Sequence, residues 1–290
     1  MRRPTSPRRN GYPPGAGGGV ANDGLGDRMK AYEKQESGRR HLPLLPICAR
    51  IDGRSFSRFT RGLRRPYDER LSELMVRTTE HLVEQTQARV GYTQSDEISL
   101  VLLSDGPKSQ TFLDGRIQKL TSLLAAMATG FFVRHLDGAL PEKAGRVPVF
   151  DCRTWTVPSR EEAVAALLWR QQDATKNAVA MAARHHYAHG ELHGRSAAQM
   201  QEMLFAKGVN FNDYPTFFKR GTWVRRQTTS RRLTAAELAS LPPKHRAHTD
   251  PDLEIERTEI VRLDLPPLTR IPNRVEVVLD GAEPRLADGG

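Results

Sequence analysis

Val90-Gly-Tyr-Thr-Gln-Ser-Asp-Glu-Ile-Ser-Leu-Val-Leu-Leu103 reads as two β-prone stretches broken by the polar Gln94-Ser-Asp-Glu97, the composition of a hairpin with a functional tip. Upstream, Pro46-Ile-Cys-Ala-Arg-Ile51 is a short apolar run that stops at Asp52-Gly53, as a buried strand does at a turn. Between them Pro66 stands where a helix can begin. Asp68 and Glu69 suit its positive N-terminal end, and Leu71, Leu74, Met75, Thr78 and Leu82 recur at helical spacing. Gly115 to His135 forms a second helix with an apolar face, and Val147-Pro-Val-Phe150, ending at Asp151, is expected as a further strand. Farther on, Ser159 to His186 and Ala197 to Phe205 are helical by pattern, with Ser159 and Glu162 spaced as a capping box. After Gly221 the chain is rich in Thr, Pro and Arg, and its pattern assigns no element.

Strand, helix, hairpin, helix, strand is the order of an α+β, ferredoxin-like sheet, in which the first and third strands are antiparallel neighbours. A right-handed crossover makes the first two strands parallel, so the hairpin tip falls at the same sheet edge as the end of strand one. Asp52 and Asp96 should therefore face each other. Two ionised carboxylates so placed repel unless a cation or a shared proton lies between them. Hard oxygen donors suit Mg²⁺, which typically takes one or two carboxylates together with substrate phosphates. Gly53 would let the backbone approach such a metal closely. Each motif alone is equally a plain turn. Together at one end of a palm-like sheet they match two-metal phosphoryl or nucleotidyl transfer.

A chain of 290 residues accommodates one large domain or two modest ones. Its net charge of +10 favours a polyanionic partner, without separating nucleic acid from an anionic membrane or from mere solubility. Cys48 and Cys152 lie far apart with no C-x-x-C spacing, which argues against a disulfide framework and a zinc ribbon and favours the cytoplasm. No apolar run approaches the roughly 20 residues of a membrane span, and the start lacks the apolar region of a secretory signal. Residues 1–24, rich in Arg, Pro and Gly, are expected as a disordered basic tail, and Ala287 to Gly290 as a frayed end. A catalytic palm is expected over residues 25–155, with a helical and irregular region, 156–290, packed on it.

Ile51-Asp-Gly-Arg-Ser-Phe-Ser-Arg-Phe59, Arg65-Pro-Tyr-Asp68 and Tyr92-Thr-Gln-Ser-Asp-Glu-Ile-Ser99 resemble, in order and spacing, the signature blocks of the tRNA-His guanylyltransferase family. Phe150-Asp-Cys-Arg153, Arg170-Gln-Gln-Asp173, Asn210-Phe-Asn-Asp213 and Lys219-Arg-Gly221 look like its later blocks. The resemblance implies a polymerase-type palm that adds nucleotides in the 3′-to-5′ direction to the 5′ end of tRNA. A monophosphate end is first adenylylated, and the 3′-hydroxyl of an incoming nucleotide then attacks. Two Mg²⁺ ions, with ATP and GTP or other nucleoside triphosphates as substrates, and a homotetramer or dimer are implied with it. Carried over by position, Asp52, Asp96 and Glu97 are catalytic, and Asp52, Asp96 and the Gly53 carbonyl hold metal. Gly53, Arg54, Ser55, Phe56, Arg65, Asp68 and Ser95 would meet the nucleotide, Arg65 standing where the family commonly has lysine. Arg170, Asn177, Lys219 and Arg220 are candidates for tRNA contact, although an Arg-Asp pair at i, i+3 such as Arg170 and Asp173 also fits a structural ion pair.

Eukaryotic members that extend tRNA-His carry His-Ile-Asn-Asn after the Arg-x-x-Asp block, whereas this chain has Thr175-Lys-Asn-Ala178, matching only at Asn177. That departure makes the chain look more like the guanylyltransferase-like proteins of bacteria, archaea and phages, whose implied activity is templated repair of 5′-truncated tRNA. Guanylate addition to tRNA-His, a catalytically silent tRNA-binding protein and a palm-type nucleotide cyclase are the competing readings. His185 and His189 would share a helix face at i, i+4, but no H-E-x-x-H glutamate accompanies them and phosphate contact or packing fits better than zinc. Arg225-Arg226 and Arg231-Arg232 near Trp223 suit an RNA backbone as well as they suit a solvated loop.

Overall fold

The structure, a computed structural model, describes residues 24–287 apart from residues 105, 107, 108 and 251. The tail expected over the first residues and the last three residues of the frayed end lie outside the described residues. Contacts divide the chain into two units, Met1–Gly38 and Arg39–Gly290. In the first, the described element is α1 (Gly24–Ser37), none of whose residues is buried. Everything below concerns the second unit.

Its frame is one six-stranded sheet of β1 (Ile47–Gly53), β2 (Val90–Gln94), β3 (Glu97–Leu102), β4 (Phe150–Thr156), β5 (Thr222–Arg232) and β6 (Glu254–Leu263), in the order β4-β1-β3-β2-β5-β6. Every neighbouring pair is antiparallel. The helices are α2 (Phe56–Phe59), α3 (Glu69–Thr86), α4 (Ile117–Ala139), α5 (Arg160–His186), α6 (His189–Leu192), α7 (Ala197–Ala206), α8 (Thr216–Arg220), α9 (Ala235–Ser240) and α10 (Arg274–Asp280). Among the described residues no helix is long and apolar enough to cross a membrane.

The strand period of two sorts β1 onto two faces. Ile47, Ala49 and Ile51 join the core under α3 and α4, while Cys48 joins the core under α5 and α10. The polar positions Arg50 and Asp52 follow Cys48 and so lie on the α5 face. On the other side, α4 presents Leu120, Leu124, Ala128, Phe132 and Leu136, a strict four-residue stripe that is fully buried. Burying a Leu or Phe of this kind stabilises by about 1.5–3 kcal/mol. α3 carries three buried threonines whose hydroxyls donate back to the carbonyls of Leu74, Met75 and Leu82, so no polar atom is stranded. With its polar groups satisfied, this face of α3 lies so close to β2 that a Cβ at Gly91 would come within 2.6 Å of Thr79 Cγ2.

Some details differ from those read in the sequence. The strand expected at residues 147–150 begins at Phe150 instead and runs on to Thr156, pairing along the whole of β1 from Gly53 back to Ile47. Val147 is 69% exposed, and Pro148 has no N–H to offer a ladder. α3 begins three residues after Pro66, with Asp68 rather than the proline setting its start. At α5, Ser159 accepts from the Glu162 amide at 3.3 Å, which is one half of the expected capping box. The stretch after Gly221 holds two long strands, β5 and β6, where no element had been assigned.

Candidate active site

Strand β1 ends its acidic step between two other carboxylates: Asp52 is in register with Glu97 of β3 on one side and with Asp151 of β4 on the other. The β2–β3 hairpin turns at Ser95 and Asp96, with Ser95 in the left-handed region at φ 50°. The Gly53 amide donates to the Asp96 carbonyl at 3.1 Å, tying the hairpin tip to the end of β1. Burial first, and then the negative charge of Asp52 and of Glu97, push the Asp96 carboxyl above its ordinary value against a hydrogen bond from Ser95 Oγ at 3.0 Å. The two aspartates singled out in the sequence therefore lie at one end of the sheet, where the charge of Asp52 adds to the effect of burial on Asp96. Among the described residues no three His, Cys, Asp or Glu side chains gather as a metal site. A cation here would be held by two carboxylates and would complete its shell from backbone and substrate oxygens, the habit of Mg²⁺.

Gly53 is required for a reason the sequence did not disclose. A Cβ at this position would stand 2.3 Å from Phe56 Cδ2. Phe56 is buried in a cluster with Phe59, Phe132 and Phe150, ring centroids 5.0–5.7 Å away. The turn between them passes through Arg54, whose amide donates to the Val149 carbonyl at 2.9 Å, and Ser55, held at φ 58°. Arg54, Ser55 and Arg65 are exposed with their side chains available, whereas the ring of Phe56 faces the core.

Asp68, expected at the nucleotide, is a helix cap. It is 4% exposed and accepts from the amides of Arg64 (3.3 Å) and Arg70 (3.1 Å) and from the Arg70 guanidinium (3.0 and 2.7 Å). The Arg70 guanidinium holds its carboxyl down at about 2. Of the two readings of Arg170, tRNA contact and structural ion pair, the structure shows the second, as a buried support. Its Nε and Nη2 donate to the two oxygens of Glu97 at 2.6 and 2.7 Å, and Nη1 donates to Asp173 at 3.1 Å, with about a tenth of either side chain in the main pair exposed. Glu97 thus faces α5 with both oxygens engaged. The sequence signal for this was the Arg-x-x-Asp spacing, which sets Asp173 beside Arg170 but is silent about Glu97.

The remaining candidates sit around the hairpin. Asn177 is exposed and, with Gln94, Ser95, Tyr67 and the aromatic rings of Phe217 and Phe218, lines a small cavity beside the tip. Lys219 donates to the Asn212 carbonyl, and the Arg220 carbonyl accepts from Tyr92 Oη at 2.8 Å. Gly221, at φ +75°, lets that chain pass; a Cβ there would meet the Thr93 carbonyl at 2.5 Å. His185 and His189 do not share a helix face, because α5 ends at His186 and His189 opens a separate short helix. Arg225 is buried against the Val277 carbonyl, and Arg226 caps the end of α3 at the carbonyls of Val83 and Glu84. Both hold the fold. Arg231 pairs with Glu237 and Arg232 with Asp252.

Known proteins are similar to this chain in sequence and fold. The family model described as tRNAHis guanylyltransferase matches residues 26–158. The tRNA(His) guanylyltransferase of Schizosaccharomyces pombe is 30% identical over 216 residues, covering 68% of this chain and 78% of the relative. A bacterial tRNA(His) guanylyltransferase (Thg1)-like protein solved in complex with ATP superposes with a TM-score of 0.66 at 34% identity, over 69% of this chain and 88% of that one. Another, in complex with GTP, gives 0.65 at 27% identity, over 85% and 94%.

Proposed function

The chain belongs to the tRNA(His) guanylyltransferase family, and on that premise we propose that it is a Mg²⁺-dependent nucleotidyltransferase that adds nucleotides in the 3′-to-5′ direction to the 5′ end of tRNA. The observation that carries the proposal is the convergence of Asp52 and Asp96 at one sheet end, with the charge of one raising the proton affinity of the other. The order β4-β1-β3-β2, with α3 and α4 on one face, supports reading the sheet as a ferredoxin-like palm. The palm is assigned to residues 25–155, and of the remainder, 156–290, β5 and β6 continue its sheet beyond β2 while α5 packs on it and supplies Arg170.

Asp52 and Asp96 would hold two Mg²⁺ ions together with the Gly53 carbonyl. Bound there, the ions would ease ionisation of the attacking hydroxyl and neutralise charge on the reacting phosphate. The chain's own groups position the rest. Arg54 and Arg65 offer planar guanidiniums to a triphosphate, and Ser55 and Ser95 offer hydroxyls at the two turns flanking the carboxylates. Phe56 contributes through its backbone and by fixing Gly53. Glu97 acts through Arg170, which keeps the start of β3 in place beside Asp96. In the reaction, the 3′-hydroxyl of the incoming nucleotide bonds to the 5′ phosphorus of the RNA. The leaving group is pyrophosphate from a triphosphate end, or AMP from an end first adenylylated with ATP.

Templated repair of 5′-truncated tRNA is the form of this activity we favour, because Thr175-Lys-Asn-Ala178, whose Asn177 and Ala178 line the cavity beside Ser95, stands where the eukaryotic tRNA-His members carry His-Ile-Asn-Asn. Guanylate addition to tRNA-His is the second reading, favoured by the names of the relatives. Lys219 and Arg220 border the RNA path, the functional unit is a homotetramer or dimer, and the two free thiols suit the cytoplasm. Offering labelled GTP and the other nucleotides separately to 5′-truncated tRNAs and to full-length tRNA-His tests the proposal. Incorporation that follows the opposing base supports repair, and guanylate added whatever stands opposite supports the second reading. No incorporation of any nucleotide with Mg²⁺ and ATP present would leave a silent tRNA-binding protein.

A further inference from the structure

Trp169 stands on α5 immediately before Arg170 and is 52% exposed, whereas Trp223 is 2% exposed and Trp155 packs into the core under α5. Two guanidiniums lie over the Trp169 ring, with Arg50 Cζ 5.8 Å and Arg170 Cζ 4.7 Å from its centroid. Arg170 is fixed by its ion pair with Glu97, so the indole is backed by a rigid group. Arg50 lies two residues before Asp52 on the same face of β1, and no carboxylate neutralises it among the described residues. Directly across the ladder β4 carries the exposed Arg153, 3.6 Å from Asp151. The sheet therefore bears two tiers at this end: the carboxylates Asp151, Asp52 and Glu97 in register, and one pleat behind them the guanidiniums Arg153 and Arg50, with an exposed indole beside Arg50.

An indole left half in water beside guanidiniums offers aromatic surface to a base, and a flat aromatic flanked by guanidiniums is what single-stranded nucleic acid uses: the base stacks and the phosphates meet the charges. We propose that Trp169 is the stacking platform for a terminal base of the RNA whose 5′ end reaches Asp52 and Asp96, with Arg50 and Arg153 taking the adjoining phosphates. The proposal rests on the reading of this chain as an enzyme of RNA 5′ ends, because that reading brings an RNA end to these carboxylates. The surface takes RNA rather than free nucleotide at this point, since Arg54, Arg65 and Ser95 are the groups assigned to the triphosphate.

The test uses the full chain with a 5′-triphosphorylated RNA hairpin lacking one 5′ nucleotide, in EDTA and without nucleotides, so that binding is read apart from chemistry. Binding is followed by anisotropy of the labelled RNA and by tryptophan emission. The wild type is expected to bind with a fall in emission. Trp169→Phe should bind nearly as well and lose most of that fall, and Trp169→Ala should weaken binding about tenfold or more. Arg50→Gln should lower the slope of log affinity against log salt by about one. Wild-type affinity in Trp169→Ala, a full emission change in Trp169→Phe, no binding by the wild type, or a change of oligomeric mass in Trp169→Ala at unchanged RNA affinity each overturns the platform. A wild type that binds through Trp169 yet adds no nucleotide to any tRNA leaves the platform standing and removes the enzymatic reading. One that adds nucleotides while Trp169→Ala binds RNA normally does the reverse.

Discussion

Arg170 grips both oxygens of Glu97 at 2.6 and 2.7 Å, joining the middle of α5 to the first residue of β3 across 73 residues of sequence. Glu97 follows Asp96 directly, so one end of this ion pair is covalently adjacent to a proposed metal ligand.

Arg170→Met should therefore strand a buried carboxylate and cost about 3–5 kcal/mol, while the double variant with Glu97→Leu should recover most of that loss. Urea unfolding measures both. If the double variant is as unstable as the single one, the pair is not what Arg170 contributes. Neither variant should extend RNA normally, and Arg170→Lys should restore only part of the rate, because a point charge cannot reproduce the bidentate contact.

Asp52→Asn and Asp96→Asn should each slow nucleotide addition by roughly 10²–10³-fold or more, the equivalent of several kcal/mol of charge stabilisation. Both should leave the metal-free protein folded, since each removes one of two repelling charges. Mg²⁺ at about 100 times its dissociation constant should stabilise the wild type by about 2.7 kcal/mol and neither variant. A wild-type thermal shift in either variant would take that aspartate out of the metal shell.

The raised Asp96 pKa has a definite sign. Folding strengthens proton binding at this carboxyl, so in the absence of metal its contribution falls as pH rises from the ordinary carboxylate range through the raised value. A Mg²⁺ ion held by Asp96 would displace that proton, so metal affinity should climb over the same interval. A thermal shift induced by Mg²⁺ that is flat with pH in wild type and in Asp96→Asn alike would remove Asp96 as the titrating group.

Asp68 behaves in the opposite sense. Its folded pKa of about 2 lies below its ordinary 3.8, so its contribution is complete above about pH 4 and is lost as pH falls through about 2. The shift corresponds to roughly 2 kcal/mol. Asp68→Asn keeps an acceptor for the Arg70 amide and should flatten the stability profile between pH 4 and 2 by about that amount. Its affinity for nucleoside triphosphate should stay near wild type, which equilibrium binding of labelled GTP would check.

Gly53→Ala should cost about 1–3 kcal/mol and reduce activity, because the added methyl enters the Phe56 ring. The double variant Gly53→Ala with Phe56→Leu should regain stability in thermal melts. If it does not, the glycine is needed for something other than the ring.

The convergence of Asp52 and Asp96 was readable because it follows from connection handedness and strand order, which short motifs reveal. α3 and α4 were readable because Leu74 to Leu82 and Leu120 to Leu136 repeat with the helix period. β5 and β6 were not, since most of β6 is exposed or partly exposed and its polar residues carry no alternation strong enough to mark a strand. Their partners are fixed by pairing 22–40 residues apart, as Arg232 with Glu254 and Trp223 with Leu263. For Asp68 and Arg170 the structural and ligand-binding readings both stood open for a related reason: a side chain that supports the fold and one that meets a ligand are the same letter, and only the position of Arg70 and of Glu97 in space distinguishes them.

β1 alternates between core and site, with Ile51 in one layer and Asp52 in the other, and it is paired on both edges. A slip of one residue would turn Asp52 toward the phenylalanines and Ile51 toward the carboxylates, exchanging every inward and outward group at once. The hydrophobic layer thus proofreads the one that carries the carboxylates. A chain that misaligns this strand loses its core before it can present an aspartate in the wrong place, and single-residue insertions or deletions within β1 should yield aggregation rather than folded protein of altered specificity.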